Sequence, residues 1–134
     1  MTSINLNNVT KLEGSALIGT PIQIAPQDIT QLIYVDSTAL CGTNISGDVV
    51  LPNLTKLGTG ALSYDSLITS VDLTGSLLET LEHCTFERDT SMDHIILPAS
   101  LTAFEGWGHF SQCPLRWIKL LGTTVPTVAT GQTI

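Results

Sequence analysis

Apolar residues in this chain fall in short triplets rather than in helical stripes. Ile4-Asn5-Leu6, Val49-Val50-Leu51, Val71-Asp72-Leu73, Ile95-Ile96-Leu97 and Ile118-Lys119-Leu120 each set two apolar side chains around a middle residue. That is the alternation of a strand with one face turned inward. More apolar residues follow each triplet at steps of three to six, as in Leu54, Leu57, Ala61-Leu62 and Leu67, or Leu101, Phe104, Phe110 and Leu115. A further copy, Ala25-Pro26, Ile29, Leu32, Ala39-Leu40, Ile45, fits with a three-residue insertion. Anchors at 6, 25, 51, 73, 97 and 120 are thus 19, 26, 22, 24 and 23 residues apart. The phrase LNNVTKLEGSAL, 6–17, returns as LPNLTKLGTGAL, 51–62, with seven of twelve positions identical. A period near 23 residues makes these two phrases one wall of a coil met again two turns later.

A unit of that length with one short strand and an apolar back has nothing to bury against alone, so neighbours must stack into a continuous core. The pattern predicts a mainly β repeat solenoid: one domain over 1–134, about five and a half repeats of roughly 23 residues, with a C-terminal tail over about 121–134. Successive triplets pair in parallel as a short-stranded sheet on one face, with little helix. Leu54, Leu57, Leu78, Leu81, Leu101 and Phe104 are predicted to be buried. The middle residues Asn5, Val50, Asp72, Ile96 and Lys119 form an outward stripe. Ile22-Gln23-Ile24 and Gln23-Ile24-Ala25 both fit the second copy, which is left out of the stripe. Ser76-Leu77-Leu78-Glu79 matches a capping box, but no other copy repeats it, so at most a short helical or 3₁₀ turn is expected there.

The segment LPASLTAFEGWGHFSQCPLRWIKL resembles the BspA-like leucine-rich repeat. Leu97, Pro98, Ser100, Leu101, Phe104, Phe110, Cys113, Leu115 and Ile118 fill its places in order. The other copies are more degenerate: Thr74 replaces Pro, and Cys41 and Cys84 sit out of register. The closing GTTVPTV is similar to the tail that ends such arrays. The resemblance covers about 4–128 and implies a right-handed leucine-rich coil. It also implies a cell-surface or secreted setting, typically bacterial, with a role in adhesion or ligand recognition.

Composition narrows the partners. Five Lys and Arg against twelve Asp and Glu give a formal charge of −7, which repels nucleic acid and anionic membranes. No run approaches the ~18 apolar residues of a membrane span, and MTSINLNN reads as neither a signal peptide nor a transit sequence. Cys41, Cys84 and Cys113 give no disulfide framework. The sequons at Asn8, Asn44 and Asn53 matter only in a eukaryotic secretory pathway.

Residues with chemistry are few. His83, Cys84, His109 and Cys113 lack the paired spacing of a zinc site, so no metal and no cofactor are expected. Glu79, Glu82, Glu87, Asp89 and Asp93 cluster in sequence and read as the solvated edge of one repeat. No nucleophile elbow or phosphate loop is visible, and no aspartates recur at one position of successive coils. Trp107 and Trp117 are either binding anchors or edge packing. The expected function is a noncatalytic module that recognises a protein or a glycan. The alternatives are a carbohydrate-active parallel β-helix enzyme, or a structural fragment of a longer array. With no polar cap before Ile4, self-association is expected through the N-terminal coil.

Overall fold

The computed structural model describes residues 3–134. The chain winds through about five turns of a parallel-strand β-solenoid, and the described residues contain no α-helix. The strands are β1 Lys11–Leu12, β2 Gln23–Ile24, β3 Tyr34–Val35, β4 Asn44–Ile45, β5 Gly47–Val50 and β6 Lys56–Leu57. They continue as β7 Ile68–Asp72, β8 Thr80–Leu81, β9 His94–Leu97, β10 Ala103–Phe104, β11 Trp117–Leu120 and β12 Thr127–Val128. Parallel pairing builds two walls rather than the single sheet expected. The first holds β2–β4 and the four-stranded β5–β7–β9–β11; the second holds β1–β3–β6 and β8–β10–β12. Lys11-Leu12 and Lys56-Leu57, from the two copies of the repeated phrase, lie on either side of Tyr34-Val35. They are two turns apart on one wall, as their spacing predicts.

A third wall has no regular strand but is bonded just as regularly. The N–H groups of Leu40, Leu62 and Phe86 donate to the carbonyls of Ala61, Thr85 and His109 in the next coil at 3.0, 3.1 and 3.0 Å. Gly42, Tyr64 and Arg88 donate in the same way to Ser63, Glu87 and Ser111, each at 2.8 Å. This path requires a left-handed backbone twice per coil, four residues apart, at Thr38 and Gly42, Gly60 and Tyr64, Cys84 and Arg88, Gly108 and Gln112. Glycine suits those slots; Thr38, at φ 55°, is a β-branched residue held there by its neighbours.

The core is a set of side-chain columns, each formed by one slot of the repeat. Val49, Val71 and Ile95 stack behind the first wall. Leu12, Val35 and Leu57, then Leu81 and Phe104, stack behind the second. Leu40, Leu62, Phe86 and Phe110 back the third, with the two phenyl rings stacked 5.8 Å apart. All six residues predicted to be buried lie in this core. In the second copy Gln23 is exposed and Ile24 buried, which selects the Ile22-Gln23-Ile24 register.

The capping-box segment forms no helical turn; Leu77 N donates instead to Leu54 O of the preceding coil at 2.8 Å, so coil-to-coil bonding replaces local bonding. Among the described residues the single 3₁₀ turn is Pro26–Asp28, with proline at its start. Both end coils leave apolar side chains open. In the first coil Leu6 and Leu12 are buried but Ile18 is 49% exposed, and in the last Ile118 and Leu120, in the slots that point inward in other coils, are 38% and 39% exposed.

Two substitutions measure this packing. Leu101→Ala should lower unfolding free energy by about 2–5 kcal/mol. Gly58→Ala should cost about 1–3 kcal/mol, because a Cβ there would lie 2.6 Å from Ser37 N and 2.9 Å from Asp36 C. Denaturant melts showing less than about 0.5 kcal/mol for both would contradict the stacked coils.

Candidate functional site

The outer face of β5–β7–β9–β11 carries two side-chain rows at right angles to the strands. Val50, Asp72, Ile96 and Lys119 are partners in register across the four strands, so these members of the predicted stripe form one line. A second line, Asp48, Ser70, His94 and Trp117, runs beside it. Period-two alternation yields this line once each strand is extended one or two residues before its triplet. Trp117 therefore lies inside its strand, not merely before it. Asn5 is not part of the face. It lies before β1 and outside the named strands, where its Oδ1 accepts from Asn7 N at 2.9 Å.

This face combines apolar area with oriented charge. Trp117 is 45% exposed and stacks on His94 with ring centroids 4.3 Å apart. Arg116 grips Asp93 through Nε and Nη2 at 2.5 and 3.0 Å, and His94 Nδ1 lies 3.1 Å from the same carboxylate. The Arg116 hydrogen bonds, then the His94 one, pull the Asp93 acid down to about 2. Hydroxyls of Ser70 and Thr69 donate to Asp48 Oδ1 at 2.6 and 2.9 Å and hold it ionised below the usual range. Asp72 Oδ1 accepts from Thr74 N and Oγ1 at 2.9 and 2.5 Å. A hollow of about 300 Å³ between Pro26, Gln27, Thr30, Asp48 and Val50 opens where the two lines begin. Trp107 belongs elsewhere: it is 50% exposed, packs edge-on against His83, and accepts from Cys84 N in the third-wall ladder. The structure does not bring the two tryptophans onto one surface.

Asp89 departs from the solvated edge expected of it. It is fully buried, as is Asp65, and the two fill the same slot of successive coils. Thr43 N and Oγ1 donate to Asp65 Oδ1 at 2.6 and 2.7 Å, and Asp65 N donates to Asp89 Oδ1 at 2.9 Å. Cys113 continues the column, its Sγ donating to Phe86 O at 2.9 Å. The recurring aspartates judged absent from the sequence are thus present, but 24 residues apart and pointing into the coil. Each keeps one carboxyl oxygen without a partner. Burial raises Asp65 to about 8 and Asp89 to about 9, which favours the uncharged acid at both. Burial likewise lifts the Cys113 thiol to about 12. His109 is buried with Nε2 at 3.2 and 2.9 Å from the Leu81 and Glu105 carbonyls. It must therefore carry its proton on that nitrogen, and desolvation keeps it neutral.

Among the described residues, no three His, Cys, Asp or Glu side chains are grouped to hold a metal, and all three cysteines are free thiols. No helix of the described residues is long and apolar enough to cross a membrane. Comparison of the chain with protein-family models, with curated proteins and with solved structures finds no match. The fold itself defines the class, a parallel β-solenoid.

The buried acids fix a pH dependence. Their folded values lie above the 3.8 of a free aspartate, so the folded chain holds protons that the unfolded chain releases. Their stabilisation is complete below that value and is lost as pH rises through about 8 and 9. Asp48 and Asp93, held low, act with the opposite sign and lose their contribution as pH falls below 3.8. Melting temperature should therefore peak near pH ~4–5 and decline toward pH ~9, and Asp89→Asn should flatten the decline. Thermal scans in which stability rises from pH ~5 to ~9 would contradict the neutral acids.

Proposed function

We propose that the chain is a noncatalytic recognition module and that the outer face of β5–β7–β9–β11 contacts a protein or a glycan. The observation that carries this reading is the pair of in-register lines. Trp117 on His94 offers a rigid aromatic platform, Val50 and Ile96 offer area to desolvate, and Asp48, Asp72 and Lys119 offer oriented charge. Such a mixture suits binding, because apolar contact supplies affinity and charged neighbours fix orientation. The resemblance of 97–118 to the BspA-like leucine-rich repeat supports adhesion at a bacterial surface as the setting. A carbohydrate-active enzyme would need a carboxyl of altered acidity open to substrate, and Asp65 and Asp89, the strongly raised pair, are sealed in the coil. Trp107 is a secondary contact on another wall. Self-association through the N-terminal coil is supported by Ile18, which stands 49% exposed there.

Combined Asp72→Lys and Ile96→Glu substitutions test the face. A glycan and protein array supplies the probe, and the double variant should melt close to the parent while its affinity for the array partner falls about tenfold or more. Unchanged affinity in the folded variant would remove this face as the site.

A further inference from the structure

The first wall is interrupted at its second coil. The step from the anchor at 25 to that at 51 is 26 residues, the longest of the five, and it contains the 3₁₀ turn Pro26–Asp28. That turn stands where a strand would otherwise lie against β5, so no strand pairs with β5 on the side away from β7. Gly47 N and Leu51 N both donate toward the β7 coil, to Leu67 O and Asp72 O at 3.0 Å. Backbone direction alternates along a strand, so the N–H and C=O groups of Asp48 and Val50 face the turn. Among the described residues none of them bonds to it, and an edge of this kind presents open donors and acceptors. The hollow between turn and strand is about 300 Å³, at the lower end of the ~300–1,000 Å³ of ligand pockets.

Its lining is a small apolar floor with a polar rim. Pro26 and Val50, the latter 42% exposed, offer the floor, and Gln27, Thr30 and Asp48 offer the rim. Ser70 and Thr69 fix Asp48 through Oδ1 at 2.6 and 2.9 Å, and among the described residues Oδ2 is left without a partner. Asp48 also begins the register line that runs through Ser70 and His94 to Trp117. Three strand spacings put the two ends of that line roughly 14 Å apart, with the Trp117 ring stacked on His94 at the far end. On the reading of the outer face as the recognition surface, on which this rests, we infer that the ligand is an uncharged oligosaccharide, with one sugar ring in the hollow and another on Trp117. A sugar ring has an apolar C–H face, which suits Pro26, Val50 and the indole, and a rim of hydroxyls that both donate and accept, which suits Asp48, Gln27, Thr30 and the open edge of β5. A peptide strand would need the place beside β5, about 4.8 Å away, that the turn already fills. The net charge of −7 and the carboxylate of Asp48 disfavour acidic sugars.

Amide spectra of the full chain, titrated with cellotetraose, mannotetraose, maltotetraose and laminaritetraose, and with tetragalacturonate as the acidic control, test this. At least one neutral sugar should shift the amides of Gln27, Thr30 and Val50 and the indole N–H of Trp117 together and saturably, and tetragalacturonate should not. Asp48→Asn, at an exposed position, should weaken that sugar about tenfold, as expected for hydrogen bonds to a charged group. Trp117→Ala should weaken the tetrasaccharide while the matching disaccharide still shifts the hollow, and Glu79→Gln on the second wall should change nothing. Three results would overturn the oligosaccharide site: no saturable shift at these amides with any neutral sugar, an equal response to tetragalacturonate, or undiminished binding in Asp48→Asn. An array partner that the Asp72→Lys, Ile96→Glu variant loses, but that Asp48→Asn retains in full, would also overturn it while leaving the recognition face in place.

Discussion

Everything in this molecule depends on the bonding of each coil to the next. One turn of about 23 residues cannot enclose its own apolar side chains, and strands of two to five residues have no stability alone. Burial and backbone satisfaction both come from the neighbour. The three walls obey this constraint in different ways: parallel ladders on two of them, and on the third a left-handed path that still lends every second N–H to the following coil. The positive φ angles at Thr38, Tyr64, Cys84, Arg88 and Gln112 are the local cost of that path, offset by the bonds it allows.

The same constraint explains the buried polar column. At the end of the third wall a backbone N–H turns inward, and a side chain from the next coil must receive it. Asp65 does so for Thr43 and Asp89 does so for Asp65. Serving as internal acceptors removes these acids from water, and desolvation then keeps them protonated. Burial thus favours the uncharged form of two of the twelve acidic residues. Where the longest coil inserts the turn Pro26–Asp28 the ladder fails, and the result is the hollow beside Asp48. Regular stacking makes the scaffold, and its irregular steps make the hollows.

The repeat was legible because core slots accept only apolar residues at a fixed period, so Leu54, Leu78 and Leu101 declare themselves. The stripe Val50, Asp72, Ile96, Lys119 followed from two-residue alternation alone. Its companion line was missed because Asp48 and Ser70 lie upstream of the apolar triplets that defined each strand. Asn5 was misplaced because the first coil reaches the first wall through Ser3, bridged to Gln23, and not through a triplet strand. Asp65 and Asp89 escaped for a different reason: charge in a sequence suggests solvent, and only three-dimensional stacking shows a carboxyl aligned with a buried N–H. Trp107 and Trp117, ten residues apart, turn out to stand on different walls, a distinction that depends on where the corners of the coil fall.

Native-state hydrogen exchange measures the coil-to-coil bonds most directly. Bonds that carry the fold open only with global unfolding, so the amides of Leu40, Leu62 and Phe86 on the strandless third wall should exchange as slowly as those of Val71 and Ile95 in the first-wall sheet. Amides of the last coil, over β11 and β12, should exchange faster. Rapid exchange at Leu40, Leu62 and Phe86 with protection confined to the four-stranded sheet would contradict a solenoid held together on all three walls.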